Sequence, residues 1–155
     1  MNVSTKMITA KLKGKKRKEV YVTGVLSKHK KGFGFVIPES GEGGDVFISP
    51  NSMNGAMNGD AVSARMLSPA ETSRAREGVI YRVLQRAAVE IVGTFEKSKR
   101  FGFVVPDDRR INDDIFILKK DFNDARTGDK VVVKITKYPD KGNSAEGKIE
   151  EIISR

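Results

Sequence analysis

One stretch of this chain is written twice, and the duplication restricts the fold more than any other feature. Residues 30–48 read KKGFGFVIPESGEGGDVFI, and residues 99–117 read KRFGFVVPDDRRINDDIFI. Each copy is an alternating aromatic run that ends in Pro, then a polar turn, then Asp, an aliphatic residue, Phe and Ile. That pattern predicts two short strands joined by a loop.

The copies belong to two longer units in register. Gly24 and Gly93 lie 69 residues apart, as do Asp45 and Asp114, Phe47 and Phe116, Asp60 and Asp129, and Arg86 and Arg155. Only the turn before the first aromatic differs, by one residue, so Phe33 matches Phe101. The organisation expected is a basic, flexible leader at 1–19, a first domain at 20–86 and a second at 89–155. Within the first, strands are expected from Val20, over 33–37, 45–49, 60–67 and 79–84, with a longer polar connection at 50–59 that has room for a helical turn. Gly24 interrupts the alternation of the first strand, where strong coiling or a bulge is expected. Five short strands with turn signals at this spacing predict a small all-β barrel or sandwich, present twice.

Side chains alternate across a strand, so Phe33 and Phe35 share one face and Gly34 and Val36 the other. If Val36, Val46 and Ile48 fill the interior, then Phe33, Phe35 and Phe47 face out on adjacent strands. Alternate phenylalanines usually belong to a core. Here the opposite alternation is aliphatic, and the pattern occurs twice beside cations, which favours an outward aromatic platform. Lys28, Lys30 and Lys31 precede the first aromatic run; Lys97, Lys99 and Arg100 precede Phe101, Phe103 and, across the loop, Phe116. Aromatic faces next to a basic edge suit single-stranded nucleic acid, with bases stacked on the rings and phosphates met by the cations.

The charge balance agrees. The chain has 29 Lys and Arg against 20 Asp and Glu, a formal net charge of +9, which favours an anionic partner. Much of the excess lies in the leader, which reads equally as a solvated tail or as a further nucleic-acid contact. No cysteine is present, which excludes disulfides and thiolate metal sites and fits a reducing compartment. No apolar run approaches membrane-spanning length and the leader lacks the apolar segment of a secretory signal, so a cytoplasmic location and no membrane partner are expected.

With these residues in view, KGFGFVIP followed by DVFIS resembles the paired motifs of cold-shock domains, five-stranded OB folds that bind single-stranded RNA or DNA. The tandem, with RFGFVVPDD, NDDIFI and SAEGKIEEI, is similar to the N-terminal cold-shock pair of the bacterial ribonuclease R family. The resemblance covers about residues 20–155 and implies stacking roles for Phe33, Phe35, Phe47, Phe101, Phe103 and Phe116. It departs from stand-alone cold-shock proteins in having no Trp, and in having Ser49 and Leu118 where a His usually follows the third-strand aromatic. It implies a module of a 3′ to 5′ exoribonuclease that helps admit single-stranded RNA, with single-stranded DNA a second candidate ligand, to a catalytic domain outside this chain. Mg²⁺ is then expected only in that domain, and the chain itself, a monomer, is expected to have no cofactor. A free-standing RNA chaperone and a protein-binding OB scaffold are the alternatives.

Catalysis by these residues has little support. Asp107-Asp108 and Asp113-Asp114 are the dense carboxylate pairs, but Asp-Asp after Pro106 is turn chemistry, and Asp114 repeats Asp45 at a strand entry. His29 lacks a sequence partner that would make it a general base and reads as a solvated turn residue.

Overall fold

The computed structural model describes residues 5–12, 15–140 and 142–155, with side chains described from residue 19 onward within those ranges. The chain divides into two compact units, Met1–Ala87 and Ala88–Arg155.

The first unit contains β1 (Thr5–Leu12), β2 (Lys15–Lys28), β3 (Gly34–Pro38), β4 (Val46–Ile48), β5 (Ala61–Met66) and β6 (Glu77–Gln85), with a short 3₁₀ turn at Pro50–Ser52. The strands run β1-β2-β3-β4-β6-β5, and pairing of β2 with β5 closes the last five into a barrel. The second unit repeats the barrel as β7 (Glu90–Lys97), β8 (Phe101–Pro106), β9 (Ile115–Leu118), β10 (Lys130–Lys137) and β11 (Glu146–Ser154), with a 3₁₀ turn at Lys119–Asp121. Both are the expected five-stranded OB architecture.

Closure depends on one long strand in each unit. β2 pairs with β5 over residues 21–25 and with β3 over residues 24–28. Gly24 lies opposite both Pro38 and Val62. A Cβ on Gly24 would stand 2.1 Å from the carbonyl oxygen of Ile37, so the interruption in the sequence pattern marks the place where the strand must coil.

The alternation sorts side chains as expected. Leu26, Val36, Val46, Ile48, Val62, Ala64 and Ile80 are buried in the first barrel; Phe95, Val104, Ile115, Ile117, Val131, Val133 and Ile149 are buried at the matching places of the second. The connection at 50–59, expected to be polar, also buries Met53, Ala56 and Met57 and packs Met53 and Ala56 into the first core. The second barrel puts Phe122 at the place of Met53, its ring 5.0 Å from that of Phe95 and edge-on to it.

Where the structure describes it, the leader carries a strand that the sequence pattern does not predict. Thr5–Leu12 pairs antiparallel with residues 15–22 of β2, from Thr5 opposite Val22 to Leu12 opposite Lys15. An edge strand needs backbone pairing on one side only, so it leaves a weak period in the sequence.

Each barrel also buries one carboxylate. Asp60, 1% exposed, accepts hydrogen bonds from the Met57 amide at 2.9 Å, the Ala87 amide at 2.9 Å and Arg86 Nη1 at 3.0 Å. Asp129 accepts from the Arg126 amide at 2.8 Å and faces Arg155 Nε at 3.7 Å. The charge is tolerated because backbone donors and a guanidinium replace its hydration. Asp60→Ala would strand two amides and take the carboxylate from Arg86, whose Nη1 keeps the Gly55 carbonyl at 2.7 Å, and should cost about 3 kcal/mol. In urea unfolding Asp129→Ala should cost less, because its guanidinium partner stands farther off.

Candidate nucleic-acid interface

Phe35 and Phe47 are directly opposed on β3 and β4, as Phe103 and Phe116 are on β8 and β9. Their neighbours Val36, Val46, Val104 and Ile115 point inward, so these rings lie on the outer face. Phe35 is 38% and Phe101 37% exposed; Phe33, Phe47, Phe103 and Phe116 are half-buried against their neighbours. In the first barrel the Phe33, Phe35 and Phe47 ring centroids stand 5.6 to 6.1 Å apart, Phe33 roughly parallel to Phe47 and Phe35 edge-on to both. In the second, Phe101 and Phe116 stack at 5.0 Å.

The cations flank the rings through a tight turn. Gly32 takes φ of +101°, a value suited to glycine, and its amide donates to the His29 carbonyl at 2.9 Å, while the His29 amide donates to the Phe33 carbonyl at 2.7 Å. The Lys28 amide donates to Asn58 Oδ1 at 2.8 Å, and the Lys97 amide donates to Thr127 Oγ1 at 3.0 Å, the matching contact in the second barrel. Both turns are thereby fixed to the connection after the third barrel strand. Lys30, Lys31, Lys97, Lys99 and Arg100 are exposed, and Lys28 is half-buried.

Two contacts were not foreseen. His29, expected to be solvated, lies parallel to Phe33 with centroids 4.6 Å apart, and its Nδ1 accepts from the Lys31 amide at 3.1 Å. Arg74, in the loop before β6, holds its guanidinium carbon 3.8 Å from the Phe47 ring centre. Neither has a periodic signal, because each side chain comes from a loop. The place after the third-strand aromatic also differs between barrels. Ser49 donates to Ser52 Oγ at 3.1 Å, while Leu118 is 40% exposed.

The carboxylate pairs behave as loop residues. Asp108 forms a salt bridge with Arg110 at 2.9 Å, and hydrogen bonds from that side chain and backbone hold its carboxyl below the usual range. Asp107 pairs with Lys130. Burial, then the nearby charges of Glu96 and Asp113, push Asp114 above its usual value. Among the described residues no group of three His, Asp or Glu could hold a metal ion.

Residues 24–83 match the Ribonuclease B OB domain family, and residues 103–155 match the Cold shock domain family. Ribonuclease R of Acidithiobacillus ferrooxidans is 38% identical over 135 residues, which cover 85% of this chain and 30% of that protein. The chain is homologous to the OB and cold-shock region of ribonuclease R. It therefore spans under a third of that relative's length. Among solved structures, Mycoplasma genitalium RNase R in complex with ribose methylated single-stranded RNA superposes with a TM-score of 0.75 at 17% identity, covering 86% of this chain and 22% of that one. Yeast Ssd1, a pseudonuclease, superposes with a TM-score of 0.72 at 17% identity, covering 86% of this chain and 23% of that one. At such identities the shared property is the fold. Among the described residues no helix is long and apolar enough to cross a membrane.

The raised Asp114 has a pH consequence. Protonation is more favourable in the folded state than in the unfolded one, so the side chain costs nothing below the unfolded value of about 3.9 and destabilises as pH rises through the higher folded value. Asp114→Asn should therefore give a small gain in thermal midpoint at pH 7 that fades as the pH falls towards about 3.9. Melting curves of both proteins across that window would read it.

Proposed function

We propose that this chain is the single-stranded RNA-binding module of a ribonuclease R-like 3′ to 5′ exoribonuclease, capturing RNA and guiding it to a catalytic domain outside these residues. The observation that carries the reading is the outer aromatic face on β3–β4 and again on β8–β9, each bordered by a lysine-bearing turn. Rings on a sheet bind bases of any identity through their faces, and exposed cations meet the phosphates. The homology to ribonuclease R supports the same reading.

On this reading Phe33, Phe35, Phe47, Phe101, Phe103 and Phe116 stack bases, and Lys28, Lys30, Lys31, Lys97, Lys99 and Arg100 contact phosphate. Single-stranded DNA would use the same faces with loss of any 2′-hydroxyl contact. The protein works as a monomer in the cytoplasm. Magnesium-dependent hydrolysis fits other residues better than these, because Asp107 and Asp108 are already paired with Lys130 and Arg110. The metal would there supply an activated water and neutralise developing charge.

A second reading, RNA binding without hydrolysis anywhere in the protein, is favoured by the shared fold with a pseudonuclease. An intact cluster of metal-binding aspartates elsewhere in the protein would decide for the nuclease.

The isolated chain should bind fluorescent single-stranded RNA with affinity that falls steeply with salt, and should not degrade it. Phe33→Ala with Phe47→Ala should weaken binding by about 30-fold or more, given about 1–3 kcal/mol for each of two stacked bases. Circular dichroism should remain unchanged. Wild-type affinity in the folded double variant would remove the platform.

A further inference from the structure

The two outer faces are not equivalent. In the first barrel the roughly parallel rings of Phe33 and Phe47 are met by the chain itself, with His29 against Phe33 at 4.6 Å and the Arg74 guanidinium over Phe47 at 3.8 Å. The residue 69 places after Arg74 is Asn143. There the corresponding ring, Phe116, lines an open cavity of about 520 Å³, walled by Lys137, Tyr138, Asp140, Asn143, Ser144 and Glu146. The volume falls within the range of roughly 300–1,000 Å³ typical of small-molecule sites.

We propose that this cavity is a base-reading pocket, selective for a nucleobase whose pairing edge sets an amino group beside a ring-nitrogen acceptor, adenine or cytosine, stacked against Phe116. The inference rests on RNA binding as the function of the barrels and adds a specificity to it. The pocket chemistry suits a base edge better than a phosphate. Two carboxylates, Asp140 and Glu146, line it against one cation, Lys137, whose Nζ stands 3.9 Å from Glu146, so the balance disfavours phosphate and leaves Asp140 to accept from an amino group. The Asn143 carboxamide supplies a donor and an acceptor side by side, the arrangement that pairs with an adenine edge. RNA readers typically take unstacked bases in this way, on an aromatic face with hydrogen bonds to the base edge.

The loop that carries Asn143 has a backbone frame independent of that side chain. The Asn143 amide donates to the Asp140 carbonyl at 2.8 Å, the Asp140 amide donates to the Asn143 carbonyl at 3.2 Å, and Gly142 supplies the positive φ of +81° at the tip. Substituting Asn143 therefore changes the pocket lining and leaves the hairpin in place. The first barrel has a guanidinium where the amide would be, over its ring, and its counterpart of Glu146, Glu77, is engaged by Arg74 at 3.8 Å and by the Thr72 hydroxyl. It grips RNA without reading it.

Anisotropy titrations of the full chain with oligo(A), oligo(C) and oligo(U) at one salt concentration test this. Wild type should bind oligo(A) or oligo(C) about fivefold or more tightly than oligo(U), in line with one good base-edge contact. Asn143→Ala should bring the three affinities within about twofold. Asn143→Arg, which copies the first barrel, should lose the preference while keeping or raising overall affinity and steepening its salt dependence. The Asn143 side-chain amide resonances should shift with oligo(A) or oligo(C) and stay in place with oligo(U). Wild type that binds all three equally, or a preference that survives both substitutions, overturns the pocket and leaves the stacking platform standing. Failure of wild type to bind any of the three overturns the pocket together with the RNA-binding reading.

Discussion

The close backbone approach at Gly24 and Gly93 is the constraint on which both barrels depend. A Cβ at Gly93 would meet the Val105 carbonyl oxygen at 2.4 Å, as one at Gly24 would meet that of Ile37 at 2.1 Å. With no side chain there, β2 pairs with β3 and β5 at one residue, and β7 pairs likewise with β8 and β10, Gly93 opposite both Pro106 and Val131. One strand can then serve both sides of the closure. Closure in turn fixes a small interior, and alternation decides which half of each strand fills it. Once Val36, Val46 and Ile48 occupy the inside, Phe33, Phe35 and Phe47 have no place but the outside. The aromatic surface is thus a consequence of barrel closure as much as of local composition.

That chain of dependence explains what the sequence made legible. A period of two, a repeated offset and a misplaced glycine are backbone-level signals, and they survive in one dimension. They led to the barrels, the inward aliphatics and the outward rings. The edge strand β1, TKMITAKL, is not legible, because pairing on one side imposes no alternation on it. The connection at 50–59 reads as polar because Met53, Ala56 and Met57 are spaced among Asn and Gly with no strand or helix period, yet all three are buried. Asp60 could be matched to Asp129 by offset alone. That it is buried and bonded to Arg86 and to the Ala87 amide, 26 and 27 residues away, is a fact of three-dimensional closure.

The site was legible to the same depth. Ring positions follow from strand phase, but the partners that His29 and Arg74 bring to them come from loops, where spacing carries no directional information. Asn143 and Arg74 illustrate the limit. The offset aligns them, yet only the structure shows one guanidinium over Phe47 and an open cavity at Phe116.

Inside and outside positions have diverged under different rules. The interior exchanges Leu26 and Met53 in the first barrel for Phe95 and Phe122 in the second, a paired change in which the two larger rings pack edge-on at 5.0 Å. Both changes enlarge the side chain, and a filled core accepts added volume only where its surroundings make room, so interior positions answer to a volume balance. Loop positions over the outer face answer to no such volume balance. Arg74 and Asn143 differ in charge, reach and hydrogen-bonding capacity, yet the strands beneath them keep the same register, Phe47 opposite Phe35 and Phe116 opposite Phe103. A duplicated barrel can therefore hold its frame constant while its two faces acquire different chemistry, one cationic over its ring and one amide-lined. Two similar cores are then compatible with two unlike contacts on one strand of nucleic acid.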